Sequence, residues 1–333
     1  MSFLCPFVHM AASSILHAHL GWLDIHGHFR PPETPREAEE RCSMMRRNKI
    51  FISKPDIWDA KEIMAYLDSA GVTMQMLSNI PKTVPELRSS NDYGASLVLL
   101  YPSRFGLLAA LPTNNPSACL SEISRMASAD GFAVMTVYNG VWLGDPSLDP
   151  VWNKLNDEHA TVFVHPDANV PPSQGRPAAL IEVTFDTTKT IVDMIYKGIF
   201  KRFKSIRFVV AHAGGCLAML SGRLRLLGAE SWVPNPLGLS DSDIEMQLKS
   251  LYVDTAASAA TGLCPAMSMI GIGRCIYGSD CGVACSSAAT MEANRRAVVE
   301  VAKQAVGNSD AIGMNGWQLF PAAAKRASSV ISR

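Results

Sequence analysis

Four histidines and one aspartate carry the chemistry that can be read from this chain: His26 and His28 in "DIHGH", His165 in "VFVHP", His212 in "VVAHAGG" and Asp280 in "YGSD". Each follows a short apolar run. Along a strand, side chains at i and i+2 share a face, so His26 and His28 project together from one strand end. Three imidazoles and a carboxylate, from His26, His28, His165 and Asp280, suit a divalent cation. Zn²⁺ is the first choice, with Mn²⁺ and Mg²⁺ as alternatives, and one coordination position stays open for water or substrate. His212 is then a free imidazole suited to proton transfer near neutral pH, with Asp280 as its catalytic partner.

Position separates these residues from others of the same type. "HAH" at His17 and His19 is also a His-x-His, but it precedes the first strand, away from any strand tip. His159 ends a helix and His9 lies in an N-terminal extension. "CGVAC" at Cys281–Cys285 has no second cysteine pair to complete a metal site, so it reads as loop thiols.

The elements that must position this set alternate almost from end to end. Strand-length runs are "LGWLDI", "VTMQMLS", "FGLLAAL", "GFAVMTV", "TVFVHP", "IRFVV", "LYVDTA" and "CIYGSD", with helix-period segments between them. In "DIWDAKEIMAYLDSAG", for example, Ile57, Ala60, Ile63, Met64 and Leu67 form an apolar stripe and Gly71 ends the helix. Eight strands in strict β-α alternation predict a closed (β/α)8 TIM barrel with its chemistry at the C-terminal strand ends. No G-x-G-x-x-G follows the first strand, which removes the main support for a dinucleotide-binding sheet. Residues 1–20 are expected to be an extension and 21–333 a single catalytic barrel.

Composition narrows the partners. The chain has 333 residues, 48% hydrophobic and 18% charged, with a formal net charge of +0, so it can bury a large core and is poorly suited to nucleic acid. Basic residues gather in short clusters such as "RRNK" at Arg46–Lys49. No apolar run has the length of a membrane span, and the first twenty residues lack the basic start of a secretory signal. The 8 cysteines include no Cys-x-x-Cys pair, as expected for reduced thiols in the cytoplasm.

Beyond single residues, "DIHGHFRPP", "WDAKEIMAYLDSAGVTMQMLS", "YPSRFGLLAALP", "YNGVWLGDPSLDPVWNKLN", "FDTTKTIVDMIYKGIFKRF", "VVAHAGG", "YVDTA" and "YGSD" run in one order along nearly the whole chain. Together they resemble the amidohydrolase-related decarboxylases, a group that includes 2-amino-3-carboxymuconate-6-semialdehyde and gamma-resorcylate decarboxylases. The middle of the chain is most similar to 6-methylsalicylate decarboxylase-like proteins. The resemblance implies a barrel of the amidohydrolase type and metal-dependent decarboxylation of an aromatic or dienoic acid without an organic cofactor. It puts the metal-binding D-x-H-x-H on Asp24, His26 and His28, a third histidine ligand on His165, the catalytic histidine on His212 and the metal-binding aspartate on Asp280. It also implies a homodimer or larger homo-oligomer. Two departures lie at the barrel mouth. Relatives commonly follow "GSD" with an aromatic residue and proline, and "HAGG" with a nearby proline; here the chain reads Cys281-Gly282-Val283 and Cys216-Leu217-Ala218.

The expected reaction is loss of CO2 from a small aromatic acid with an ortho hydroxyl. The rival is a hydrolase that activates water on the same metal to open a lactone or an activated carbon–carbon bond. A third reading, a binding protein without activity, would require a lost ligand position, and none is lost.

Overall fold

The computed structural model describes residues 20–55 and 57–331; His9, His17, His19 and nearly all of the expected extension lie outside them. Eight parallel strands follow in sequence order: β1 (Trp22–His28), β2 (Val72–Ser78), β3 (Phe105–Ala110), β4 (Gly131–Met135), β5 (Thr161–His165), β6 (Arg207–Val210), β7 (Tyr252–Asp254) and β8 (Cys275–Ile276). Backbone bonds close the barrel beyond β8. Ile25 N–H donates to Tyr277 O at 2.9 Å, Asp280 N–H to His26 O at 3.0 Å, and His28 N–H to Cys281 O at 2.8 Å. This closing seam runs through three of the residues singled out for chemistry.

Strand alternation divides the core. Leu23, Ile25, Met74, Met76, Leu108, Ala133, Phe163, Val209 and Ile276 pack inside the barrel. Their neighbours, such as Trp22, Val72, Leu107, Phe132, Val162 and Phe208, face the helices. Trp317, Leu319 and Phe320 join the inner cluster from the C-terminal segment. Trp317 Nε1 donates to Gly21 O at 2.9 Å and Thr161 Oγ1 to Leu319 O at 3.2 Å, which seats that segment under the N-terminal strand ends. The opposite mouth is left for the site.

One extra residue in β1 aims the histidines. Asp24 pairs with Gln75 and Gly27 with Leu77, so three steps on β1 match two on β2. This β-bulge shifts the alternation, and His26 and His28 come to share the inner face with Leu23 and Ile25. The glycine between them is required by a neighbour: a Cβ on Gly27 would lie 2.2 Å from Cδ of Gln75. Gln75 cannot move aside cheaply, because its Nε2 donates to Asp24 Oδ2 at 2.7 Å.

Helix boundaries follow local chemistry. The helix Ala60–Ala70 begins where the Asp59 carboxylate accepts the Lys61 and Glu62 N–H groups, and ends at left-handed Gly71. Ile57, expected on its apolar stripe, precedes this cap and is exposed. The helix around "NDYGASLVLLY" starts earlier, at Val84, capped by Thr83 with Pro85 in its first turn. The helix Pro35–Arg47 was not expected at all, although "TPRE" supplies a capping box between Thr34 and Glu37.

Asp24 clamps the seam. Its carboxylate is fully buried and accepts from His26 N–H, Ser279 N–H, Ser279 Oγ and Gln75 Nε2 at 3.0, 3.0, 2.5 and 2.7 Å. It thereby ties β1 to β2 and to the chain after β8. Asp24→Ala strands these donors in the interior and should cost about 3 kcal/mol or more in denaturant unfolding. A loss below about 1 kcal/mol would show that the clamp is dispensable.

Candidate metal centre and active site

The barrel brings His26, His28, His165, His212 and Asp280 together at the C-terminal mouth. The ring centroids of His26 lie 5.0, 4.9 and 5.0 Å from those of His28, His165 and His212, and His165 lies 4.9 Å from His28 and 5.4 Å from His212. One ligand atom from each of His26, His165, His212 and Asp280 falls within 4.8 Å of the others. His28 belongs to the same cluster: its Nε2 is 3.1 Å from His26 Nε2 and 3.2 Å from Asp280 Oδ1. His26 Nε2 is 3.3 Å from that oxygen.

A residue passed over in the sequence completes the site. Asp254, at the tip of β7, is fully buried and holds His26 Nδ1 at 2.6 Å through Oδ2. Its Oδ1 accepts the His212 N–H at 2.7 Å and the Ala256 N–H at 3.0 Å. One carboxylate thus fixes the His26 ring, directs its Nε2 into the cluster and anchors the His212 backbone. Asp24, by contrast, spends its oxygens on the seam. The apolar run "LYV" before Asp254 is the same signal that marks the other strand tips.

The backbone is unusual where the reactive groups sit. His212 has φ +56°, Ala213 +55° and Asp280 +59°, a left-handed region that costs a non-glycine residue about 1–2 kcal/mol. Neighbouring contacts enforce it: the Asp254 bond at His212, and the bond from Asp280 N–H to His26 O. Gly282 then turns with φ +95°, and a Cβ there would stand 2.1 Å from His28 O. The chain after Asp280 is therefore pressed against β1.

Burial and proximity set the charges. Burial holds His28, His165 and His212 below the ordinary imidazole value, and neighbouring imidazoles reinforce this. Burial also opposes a charge on His26, but Asp254 and Asp280 outweigh it and push His26 up to about 9. For Asp280, burial works upward, while His26, His28 and His212 reverse it and keep the carboxyl far below its usual range.

These groups fit a divalent cation. Nε2 of His165 and Nδ1 of His212 are buried with no hydrogen-bond partner among the described residues. Nε2 of His26, Nε2 of His28 and Oδ1 of Asp280 converge within 3.3 Å, a spacing that needs a proton or a cation among their lone pairs. Without a metal, the proton on His26 fills that role. His28, His165, His212 and Asp280 line a cavity of about 250 Å³, whose walls include Met44, Met45 and Ile50 from the helix Pro35–Arg47 and its exit, with Arg30 and Arg41.

Two outcomes follow for metal binding. Asp254→Asn removes the charge that orients His26 and should weaken Mn²⁺ or Zn²⁺ affinity by about 10- to 100-fold in calorimetry. A cation must also displace the His26 proton. Affinity should therefore rise about tenfold per pH unit toward the His26 value of about 9 and flatten above it. Affinity independent of pH between 6 and 8 (~2 units) would contradict the assigned protonation.

The comparisons agree with the geometry. The family model described as amidohydrolase matches residues 23–297. Decarboxylase macB of Penicillium terrestre is 27% identical over 288 residues, covering 78% of this chain and 83% of the relative. The 6-methylsalicylic acid decarboxylase of Penicillium expansum is 26% identical over 283 residues, covering 78% and 84%. A dihydroxybenzoic acid decarboxylase from Polaromonas, solved with bound manganese and the inhibitor 2-nitroresorcinol, superposes with a TM-score of 0.71 at 19% identity, covering 91% of this chain and 97% of that one. No helix of the described residues is long and apolar enough to cross a membrane. The chain belongs to the amidohydrolase family and is one of its decarboxylases.

Proposed function

We propose that this protein catalyses non-oxidative, metal-dependent decarboxylation of a one-ring aromatic acid with an ortho hydroxyl, of the 6-methylsalicylate kind, without an organic cofactor. The observation that carries the reading is the imidazole–carboxylate cluster at a cavity of about 250 Å³. His26, His28, His165 and Asp280 hold the cation, and His212 stays free. Supporting this division, the two β1 imidazoles and Asp280 Oδ1 already converge within 3.3 Å, while His212 stands on a strained turn lining the cavity. The donors accept Zn²⁺ or Mn²⁺, and the manganese in the Polaromonas structure makes Mn²⁺ the ion to test beside Zn²⁺.

A divalent cation supplies Lewis acidity and a template for the substrate carboxylate and its ortho oxygen. The protein residues then move one proton. The proton is carried by Asp280, which has a ligand atom within 4.8 Å of one on His212. It is transferred to the ring carbon that bears the carboxylate. The bond to the carboxylate carbon breaks, its electrons restore the aromatic ring, and CO2 leaves. His212, neutral because it is buried, accepts a proton from solvent and returns it to Asp280. The apolar wall from Met44, Met45 and Ile50 packs on the ring and limits water.

The reading extends to a single catalytic unit from residue 21 onward, a homodimer or higher homo-oligomer, and a cytoplasmic setting. The last of these rests on cysteines without a Cys-x-x-Cys pair.

Parallel turnovers in D2O and H2¹⁸O test the reaction. Decarboxylation places deuterium on the carbon that lost CO2 and leaves the product free of ¹⁸O. Incorporation of ¹⁸O with no CO2 release would support the hydrolase instead. Substrates without the ortho hydroxyl should lose kcat as well as binding. His212→Asn should keep its metal while kcat falls about 100-fold or more. Loss of the ion in that variant would make His212 a ligand, in the four-residue set that includes it and omits His28.

A further inference from the structure

The geometry of the chain after Asp280 gives Asp280 a partner. The two oxygens of that carboxylate face different ways. Oδ1 faces the Nε2 atoms of His26 and His28 at 3.3 and 3.2 Å. Oδ2 accepts a hydrogen bond from Ser286 Oγ at 3.0 Å.

Ser286 is fixed from both sides. Its N–H donates to Val283 O at 3.2 Å, closing the turn from Gly282, whose carbonyl accepts Arg30 Nη1 at 3.2 Å. The next residue, Ser287, caps the 19-residue helix Ala288–Val306: its Oγ accepts the Thr290 N–H at 3.2 Å, and its N–H donates to Thr290 Oγ1 at 2.9 Å. A long helix on one side and a turn packed on β1 on the other leave the hydroxyl little freedom.

We propose that Ser286 is a positioning residue for Asp280. Its hydroxyl holds Oδ2 away from the imidazole nitrogens, so the cation meets one carboxylate oxygen rather than two. A carboxylate free to turn would chelate through both oxygens and lose the one that handles the proton. The inference rests on the reading of Asp280 as ligand and proton carrier, and it adds a residue that neither the histidine pattern nor the β-strand tips identify. Orientation by a hydroxyl on a bound carboxylate follows the general logic of groups that orient metal ligands.

Ser286→Ala and Ser286→Thr, loaded with Mn²⁺, test it by affinity, by the electron paramagnetic resonance of the bound ion without substrate, and by kinetics. Ser286→Ala should bind Mn²⁺ at least as tightly as the native protein, change the Mn²⁺ spectrum, and lose about tenfold in kcat with KM moved less than about twofold. Ser286→Thr, which keeps the hydroxyl, should restore both the spectrum and kcat. An unchanged spectrum in Ser286→Ala overturns the proposal, as does Mn²⁺ affinity falling in step with kcat, since the latter assigns Ser286 to building the site. If the native protein decarboxylates nothing, the reaction fails while the spectrum and affinity still decide the role of Ser286.

Discussion

Nε2 of His26, Nε2 of His28 and Oδ1 of Asp280 lie within 3.3 Å of one another in the interior, and all three offer electron pairs. Such a group holds together only when protons or a cation lie among those pairs. His26 is fully buried and its two neighbours nearly so, so repulsion is weakly screened, and an unpaired polar atom costs more there than at the surface. The arrangement is favourable around a shared proton, on His26 in one state, and around a divalent cation in the other. Much of the upper barrel holds these atoms at their separation.

The barrel seam does this holding. The bulge in β1 turns both histidines inward, and hydrogen bonds from Ile25, His28 and Asp280 join β1 to the chain after β8. Two buried aspartates near the seam have different tasks. Asp24 binds three chain segments together, while Asp254 orients an imidazole and anchors the His212 backbone. The left-handed conformations at His212 and Asp280 are stabilised by these contacts, which links the stability of the seam to the geometry of the chemistry.

The sequence exposes the parts of this design that follow a simple period. Apolar runs of strand length show the eight strands, and polar residues just past them show His26, His28, His165, His212 and Asp280. Asp254 obeys the same rule, so it was available from the sequence as the polar end of "LYVD". The helix Pro35–Arg47 carries its own start signal in Thr34, Pro35 and Glu37, yet its mean hydropathy is low and its apolar face is narrow: only Ala38 and Cys42 are buried. The β1 bulge is less legible, because it depends on how Gln75 of the neighbouring strand reaches Asp24. Ser286 is the least legible, since its place at Asp280 depends on left-handed turns at Asp280 and Gly282 and on the cap at Ser287.

The most direct test of the central constraint is the stability of the metal-free protein against the protein with Mn²⁺ or Zn²⁺ restored. If the converging imidazoles and carboxylate need a cation, one equivalent should bind and raise the unfolding midpoint. At about a thousandfold excess over Kd the gain should be about 4 kcal/mol. Identical unfolding curves with and without the ion, at concentrations that saturate other proteins of this donor type, would contradict a metal centre at His26, His28, His165 and Asp280.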